Sequence, residues 1–360
     1  MEYKPDFDGL NPYYEAFWRC EVLDRAAISV TAPRKELPQD RVVWSEPYLP
    51  FQESTERLID RFEDECRSTF FGGLSTPSFF PNFGPDAISA FLGAELKFSK
   101  DSRNTSWIDW SQPVLKDYRD LSCLKIDEDS PLYRRNLEII SKGVERGKGK
   151  FFVGAIDLHG GFDALAALRG GPDRAAMDLI ENPEGVKEAM KKLSAAWRKV
   201  SEDYFRVVKD KQPGTTSWMC IWAKGRTGVV QSDFSCLVSA KMFREFLLEE
   251  VLDEIESLDY SIYHLDGEEA LQHLDTLLDI PKLNAIQWVP GARYEKEGVE
   301  RWIPLYRKIQ ARKKSILVYA RIQDIPLVLE NLKPEGLLIV ITDCKNEDEA
   351  RETMKRLGWK

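Results

Sequence analysis

Histidine is scarce in this chain: His159, His264 and His273 are the only three among 360 residues. Long hydrophobic runs are missing too. No apolar stretch approaches the roughly 18 residues of a membrane span, so no membrane contact is expected. The start, Met1 to Asp6, has neither a basic end nor an apolar segment, and no secretory signal is visible. Cys20, Cys66, Cys123, Cys220, Cys236 and Cys344 are scattered without CxxC spacing, which argues against a disulfide framework and for a cytoplasmic setting with reduced thiols. Positive charge is in deficit: 51 Lys and Arg stand against 60 Asp and Glu, a net charge of -9. With a pI near 5.2, the basic stripe of a nucleic-acid surface is lacking. No GxGxxG or GxxxxGK[ST] lies on a strand-to-helix turn, which weakens a nucleotide-binding reading.

What is present is an ordinary globular composition, 43% hydrophobic and 31% charged. The length can enclose one large core, and residues 1–360 read as a single domain with residues 1–40 as an N-terminal extension. The first third is irregular, with Trp18, Trp44, Trp107 and Trp110 among prolines and glycines. A helix is expected from Gln52 to Cys66, and a short Pro-initiated one within Gly84 to Gly93.

From about Lys150 the pattern becomes regular. Apolar strands are expected at Phe151–Ile156, Ser217–Trp222, Tyr260–His264, Leu283–Trp288, Ser315–Tyr319 and Leu337–Ile341. Helices such as Pro183–Val208 and Lys241–Leu258 alternate with them. The second of these would turn Phe243, Phe246, Leu247, Val251, Ile255 and Leu258 inward. Short apolar strands alternating with helices imply parallel pairing covered on both faces. With Val42–Trp44 and Thr69–Gly72 the strand count reaches about eight. The expected fold class is therefore α/β, a (β/α)8 TIM barrel with an elaborated N-terminal segment; a doubly wound open sheet is the alternative.

Barrels of this kind place function at the C-terminal strand ends. Those ends offer Asp157 and His159, Trp222 and Lys224, His264 and Asp266, Gln287 and Trp288, Tyr319 and Arg321, and Asp343 and Cys344. His264, Asp266 and Cys344 are all chemically competent zinc ligands, binding at roughly 2.0 to 2.3 Å, and three protein ligands leave a position for substrate. Equally, His264 could hydrogen-bond Asp266 and Cys344 could be a small core residue. His159, between Asp157 and Asp163 with two glycines beside it, reads either as an acid–base group or as a turn support. His273 reads as a surface or helix-packing residue. Trp222, Trp288 and Tyr319 could wall a pocket for a flat ligand or fill the barrel top. Lys224 could bind an anionic group, and Asp233 could cap a turn or face the pocket.

With those residues in view, the chain resembles the uroporphyrinogen decarboxylase superfamily. The resemblance covers roughly Phe151 to Leu357. It rests on the glycine-rich stretch Gly154–Gly171, on Ser232–Phe246, on His264-Leu-Asp-Gly267 and on Thr342–Ala350, with weaker support from Gly84–Glu95. It implies a (β/α)8 barrel with a C-terminal site, and either porphyrinogen decarboxylation or cobalamin-dependent methyl transfer. The methyltransferase branch holds zinc through a His-x-Cys pair and a distant cysteine; here His264 and Cys344 match, while Asp266 replaces the first cysteine. The decarboxylase branch needs an N-terminal arginine-rich segment, and the corresponding region here is acidic and aromatic.

The expectation is thus a metal-dependent enzyme acting on a small-molecule substrate. It is a methyltransferase working with zinc and a corrinoid or folate-type carrier, with a corrinoid protein as partner. In that reading His264, Asp266 and Cys344 hold the metal, and Asp157, His159 and His264 carry the chemistry. Trp222, Lys224, Asp233, Gln287, Trp288, Tyr319 and Arg321 shape the substrate site. The alternatives are a metal-independent decarboxylase or lyase using His264 and Asp266 as acid and base, and a non-catalytic protein that binds a tetrapyrrole, corrinoid or sugar.

Overall fold

The protein is described by a computed structural model covering residues 1–34, 42–99, 102–291, 293, 297–341 and 343–359. Eleven strands occur among these residues: β1 Ala27–Pro33, β2 Thr69–Gly73, β3 Ser78–Phe79, β4 Leu96–Ser99, β5 Ser102–Ile108, β6 Phe152–Val153, β7 Thr227–Gln231, β8 Tyr260–Asp266, β9 Ala285–Val289, β10 Ser315–Tyr319 and β11 Leu337–Ile341. Seven of them form one sheet in the order β2-β1-β11-β10-β9-β8-β7. Every pair in it is parallel except β1 with β2. β3 and β6 form a separate parallel pair, Ala155 bridges Ser217, and β4 and β5 form an antiparallel hairpin. The described pairings therefore make a mostly parallel α/β sheet plus short pieces.

Strands β9, β10 and β11 are apolar along nearly their whole length and almost entirely buried. Parallel strands covered on both faces require this, and each fully buried Leu or Ile stabilises the fold by about 1.5–3 kcal/mol. The helix Pro183–Val208 has the bounds its periodicity predicts, with Asn182 capping it by accepting from the Gly185 amide at 3.3 Å. The helical text after Lys241 is broken by a π-turn at Phe243–Leu247, yet all six residues expected to face inward are buried. Among the described residues no helix is long and apolar enough to cross a membrane.

Three departures matter for the site. Val42–Trp44 is not a strand; Trp44 instead packs on Phe62, Phe79 and Phe80. The strand there is β1, which pairs with both β2 and β11, so residues 27–33 belong to the sheet and are not an appendage. Finally, Ser217–Trp222 does not run on as a strand. Only Ser217 bridges, the backbone turns at Cys220 (φ 57°), and the true strand is β7, ten residues further along. Gly228 interrupts the apolar run of β7 and hides it from pattern reading.

Candidate functional site

In a parallel pair, residues in register point the same way, so register decides which side chains meet. Gln231 is in register with His264, and His264 with Gln287. One row of polar side chains therefore crosses the carboxyl ends of β7, β8 and β9. Strand alternation puts Asp266 on the same face as His264, while Trp288 lies on the opposite face from Gln287. Past the end of β7, Asp233 opens a 3-10 turn, Asp233–Leu237. That turn is fixed by Asp163, whose carboxylate accepts from the amides of Asp233 at 2.8 Å and Phe234 at 2.7 Å.

Two groups of possible metal donors result: His159, Asp163 and Asp233, and Asp233, His264 and Asp266, each with its ligand atoms within 4.8 Å of one another. Asp233 belongs to both. His264 Nδ1 sits in close contact with Gln287 Oε1, the arrangement in which Nδ1–H donates and Nε2 keeps its lone pair. The Trp218 ring stands edge-on to His264 with centroids 5.5 Å apart. Asp266 Oδ1 is buried without a hydrogen-bond partner. Gln231 Nε2 donates to Asp157 Oδ1 at 2.7 Å.

His159 lies inside a carboxylate cage, 3.5 Å from Asp157, 3.6 Å from Asp163 and 3.6 Å from Asp233. Burial works against its charge, but Asp157, Asp163 and Asp233 outweigh burial and raise the imidazole well above its usual range. That surrounding favours its protonated form, the form that can donate a proton. Asp157, despite burial, is held below the usual carboxylate range by His159 and the Gln231 amide. Burial, with neighbouring carboxylates adding to it and His159 opposing it, pushes Asp86 and Asp233 up to about 6. Beneath the loop, Glu250 and Glu254 are buried, and burial pushes both carboxyls far upward. Gly161, at φ 36°, leaves them room: a Cβ there would lie 1.5 Å from Glu250 Cδ.

A cavity of about 490 Å³ is lined by Asp266, Trp288, Tyr306 and Tyr319 among others. A second, of about 370 Å³, is lined by Asp86, His159, Asp163, Asp233, Trp107 and Trp110 among others. Asp157, His159, Asp233, His264, Asp266 and Gln287 are thus gathered at one place, and Trp288 and Tyr319 line the larger cavity beside it.

Other sequence expectations fall elsewhere. Trp222 is buried at the opposite end of the sheet, packed on Phe7 and Tyr14, with its indole N–H donated to Pro213 O at 3.0 Å. Lys224 is exposed near the start of β7. Neither reaches the site, because the chain turns at Cys220; Trp218 takes the place expected of Trp222. Arg321 pairs with Asp324 at 2.7 Å, and Asp343 accepts from the Ile322 amide. Cys344 is buried in the apolar core, its thiol pushed up to about 11, and belongs to neither donor group; Asp233 stands in its stead. His273 is a packing residue, stacked on Phe243 with its Nε2 donating to Ser235 O at 2.8 Å. Asp86, Trp218 and Gln231 belong to the site without being expected from the sequence. Asp86 carries the clearest signal of the three, a carboxylate after Gly-Pro at the start of a short helix.

No family model matches the chain, and no curated protein matches it by sequence. Among solved structures it is similar to a methyltransferase from Methanosarcina mazei, at 11% identity and a TM-score of 0.62, covering 97% of both chains. At that identity the likeness concerns the fold.

Proposed function

We propose that the protein is a metal-dependent enzyme that transfers a methyl group at the carboxyl-terminal mouth of a complete (β/α)8 barrel. The observation that carries this is the convergence of Asp233, His264 and Asp266, with Asp266 Oδ1 buried and unpartnered. Buried carboxylate oxygens without a donor are costly, and a cation there removes the cost. One imidazole and two carboxylates suit zinc and leave a position open to a substrate. A zinc ion held there supplies Lewis acidity toward a bound group. Gln287 orients His264 so that Nε2 points its lone pair at the site. His159, whose protonated form its three carboxylate neighbours favour, can supply a proton to a leaving group at the edge of the second cavity. Trp288 and Tyr319 give the larger cavity its apolar walls for a small molecule or for part of a corrinoid or folate-type carrier. The fold likeness to a methyltransferase supports the reaction class.

Elemental analysis of the purified protein, with zinc reconstitution, is the direct test. About one zinc per chain is expected, lost in His264→Ala and Asp266→Asn and kept in Cys344→Ser. Loss in Cys344→Ser would restore the ligand set read from the sequence, while folded protein that takes up no zinc would remove the metal. Demethylation of methylcobalamin or 5-methyltetrahydrofolate by the zinc-loaded protein, followed by absorbance, tests the reaction. The carboxylate cage around His159 also favours a second reading, a metal-independent lyase in which His159 serves as the acid beside His264 and Asp266. Turnover unaffected by strong chelators would decide for that reading.

A further inference from the structure

The 370 Å³ cavity has a chemistry of its own. Trp107 and Trp110, from β5 and the loop after it, both line it and leave 39% and 51% of their surface exposed. Trp110 is seated on a glycine pair: a Cβ on Gly171 (φ 115°) would lie 3.2 Å from its ring, and one on Gly170 (φ 95°) 3.1 Å from its carbonyl oxygen. Gly170 is the left-handed cap that ends the helix Gly161–Arg169 and Gly171 precedes the helix Pro172–Glu181, so the indole packs on a turn whose conformation glycine supplies.

Facing the indoles are Asp86, Asp163 and Asp233. Asp163 is occupied by two backbone amides, whereas Asp86 makes no cap bond to the helix Ala87–Phe91 that it precedes. The charged groups around the cavity leave it negative. His159 is already surrounded by three carboxylates, and no Lys or Arg is among the described residues of the lining. Lys97, opposite Trp107 in the hairpin, is engaged by Glu95 at 2.5 Å and Asp109 at 3.8 Å. An open pocket with indole walls, crowded carboxylates and no free cation among its described residues is complementary to a positive charge carried on an apolar body.

We infer that this cavity binds a small organic ammonium ion, its charge beside Asp86 and its alkyl groups against the faces of Trp107 and Trp110. The inference stands apart from the metal, since none of these three residues is among its proposed donors. A hydrated metal ion would gain nothing from indole faces; an alkylammonium gains both cation–π attraction and burial of its methyl groups.

The test is calorimetric titration of the full-length protein in EDTA with choline and with its neutral isostere 3,3-dimethyl-1-butanol. Choline should bind saturably and the alcohol about tenfold or more weaker. Trp107→Ala and Trp110→Ala should each weaken choline by about twofold to thirtyfold, the range cation–π contacts span. Asp86→Asn should weaken it by about tenfold. Both indoles are partly exposed, so folded variants are expected, and circular dichroism checks this. Equal binding of the alcohol, or unchanged affinity in all three folded variants, overturns the site. His264→Ala should lose zinc and keep choline. Zinc binding without choline binding would refute only the ammonium site, and choline binding without zinc only the metal reading.

Discussion

The two ends of the sheet are built from the same strands and satisfy opposite requirements. At the amino ends of β8 to β10 the buried ammonium, indole and amide groups find partners, and of the strand residues there Ser261 Oγ is left without one. Trp18 Nε1 donates to Trp222 O at 2.9 Å, Asn284 Nδ2 to Trp18 O at 3.2 Å, and the buried Lys314 ammonium to the carbonyls of Ile280 and Leu283, both at 2.6 Å. At the carboxyl ends, Asp266 Oδ1, Gln231 Oε1 and Trp288 Nε1 are buried with no partner, and carboxylates crowd one another. A fold that pairs its ammonium and amide groups at one end and leaves a carboxylate and an amide oxygen unmet at the other separates stability from binding.

The sharpest way to break that separation is at the satisfied end. Trp222→Ala should cost about 3–5 kcal/mol of stability, measured by denaturant unfolding, because it opens a large core void and removes the indole N–H that Pro213 O accepts. Its folded fraction should bind zinc as the unaltered protein does; impaired zinc binding would show that the two ends are coupled. At the opposite end, Gln287→Ala should weaken zinc binding by about tenfold to a hundredfold, read by competition with a chromogenic chelator, with little change in unfolding.

A smaller effect follows from Asp86. An acid whose folded value is raised stabilises the fold while protonated, below its ordinary 3.8, and that contribution is lost as pH rises through about 6. Asp86→Asn should therefore be more stable than the unaltered protein above pH 6, with the gap closing toward pH 3.8 in a pH series of thermal melts. A gap that widens on acidification would contradict the crowding described for this end. Smallest of all, Arg321→Ala removes only an exposed pair with Asp324 and should change stability by less than about 0.5 kcal/mol.

Much of the scaffold is legible in the sequence. The helix Pro183–Val208 and the strands at Tyr260, Ser315 and Leu337 follow from local periodicity and length alone. The histidine at the end of β8 is visible as well, because scarcity and position together mark it. The strand β7 is not, since Gly228 breaks its apolar run, and a strand expected at Ser217–Trp222 carries Trp222 and Lys224 to the wrong end with it. The left-handed turn at Cys220 responsible for this leaves no pattern of its own.

By itself the sequence determined the α/β class of fold and the inward faces of its helices, because these depend on composition and on residues a few positions apart. Only the tertiary structure decided that Asp233, not Cys344, joins His264 and Asp266, and that Asp86, Trp107 and Trp110 share a cavity with His159. Such meetings depend on strand register and on where loops return, and these are settled by packing between segments tens of residues apart in the chain.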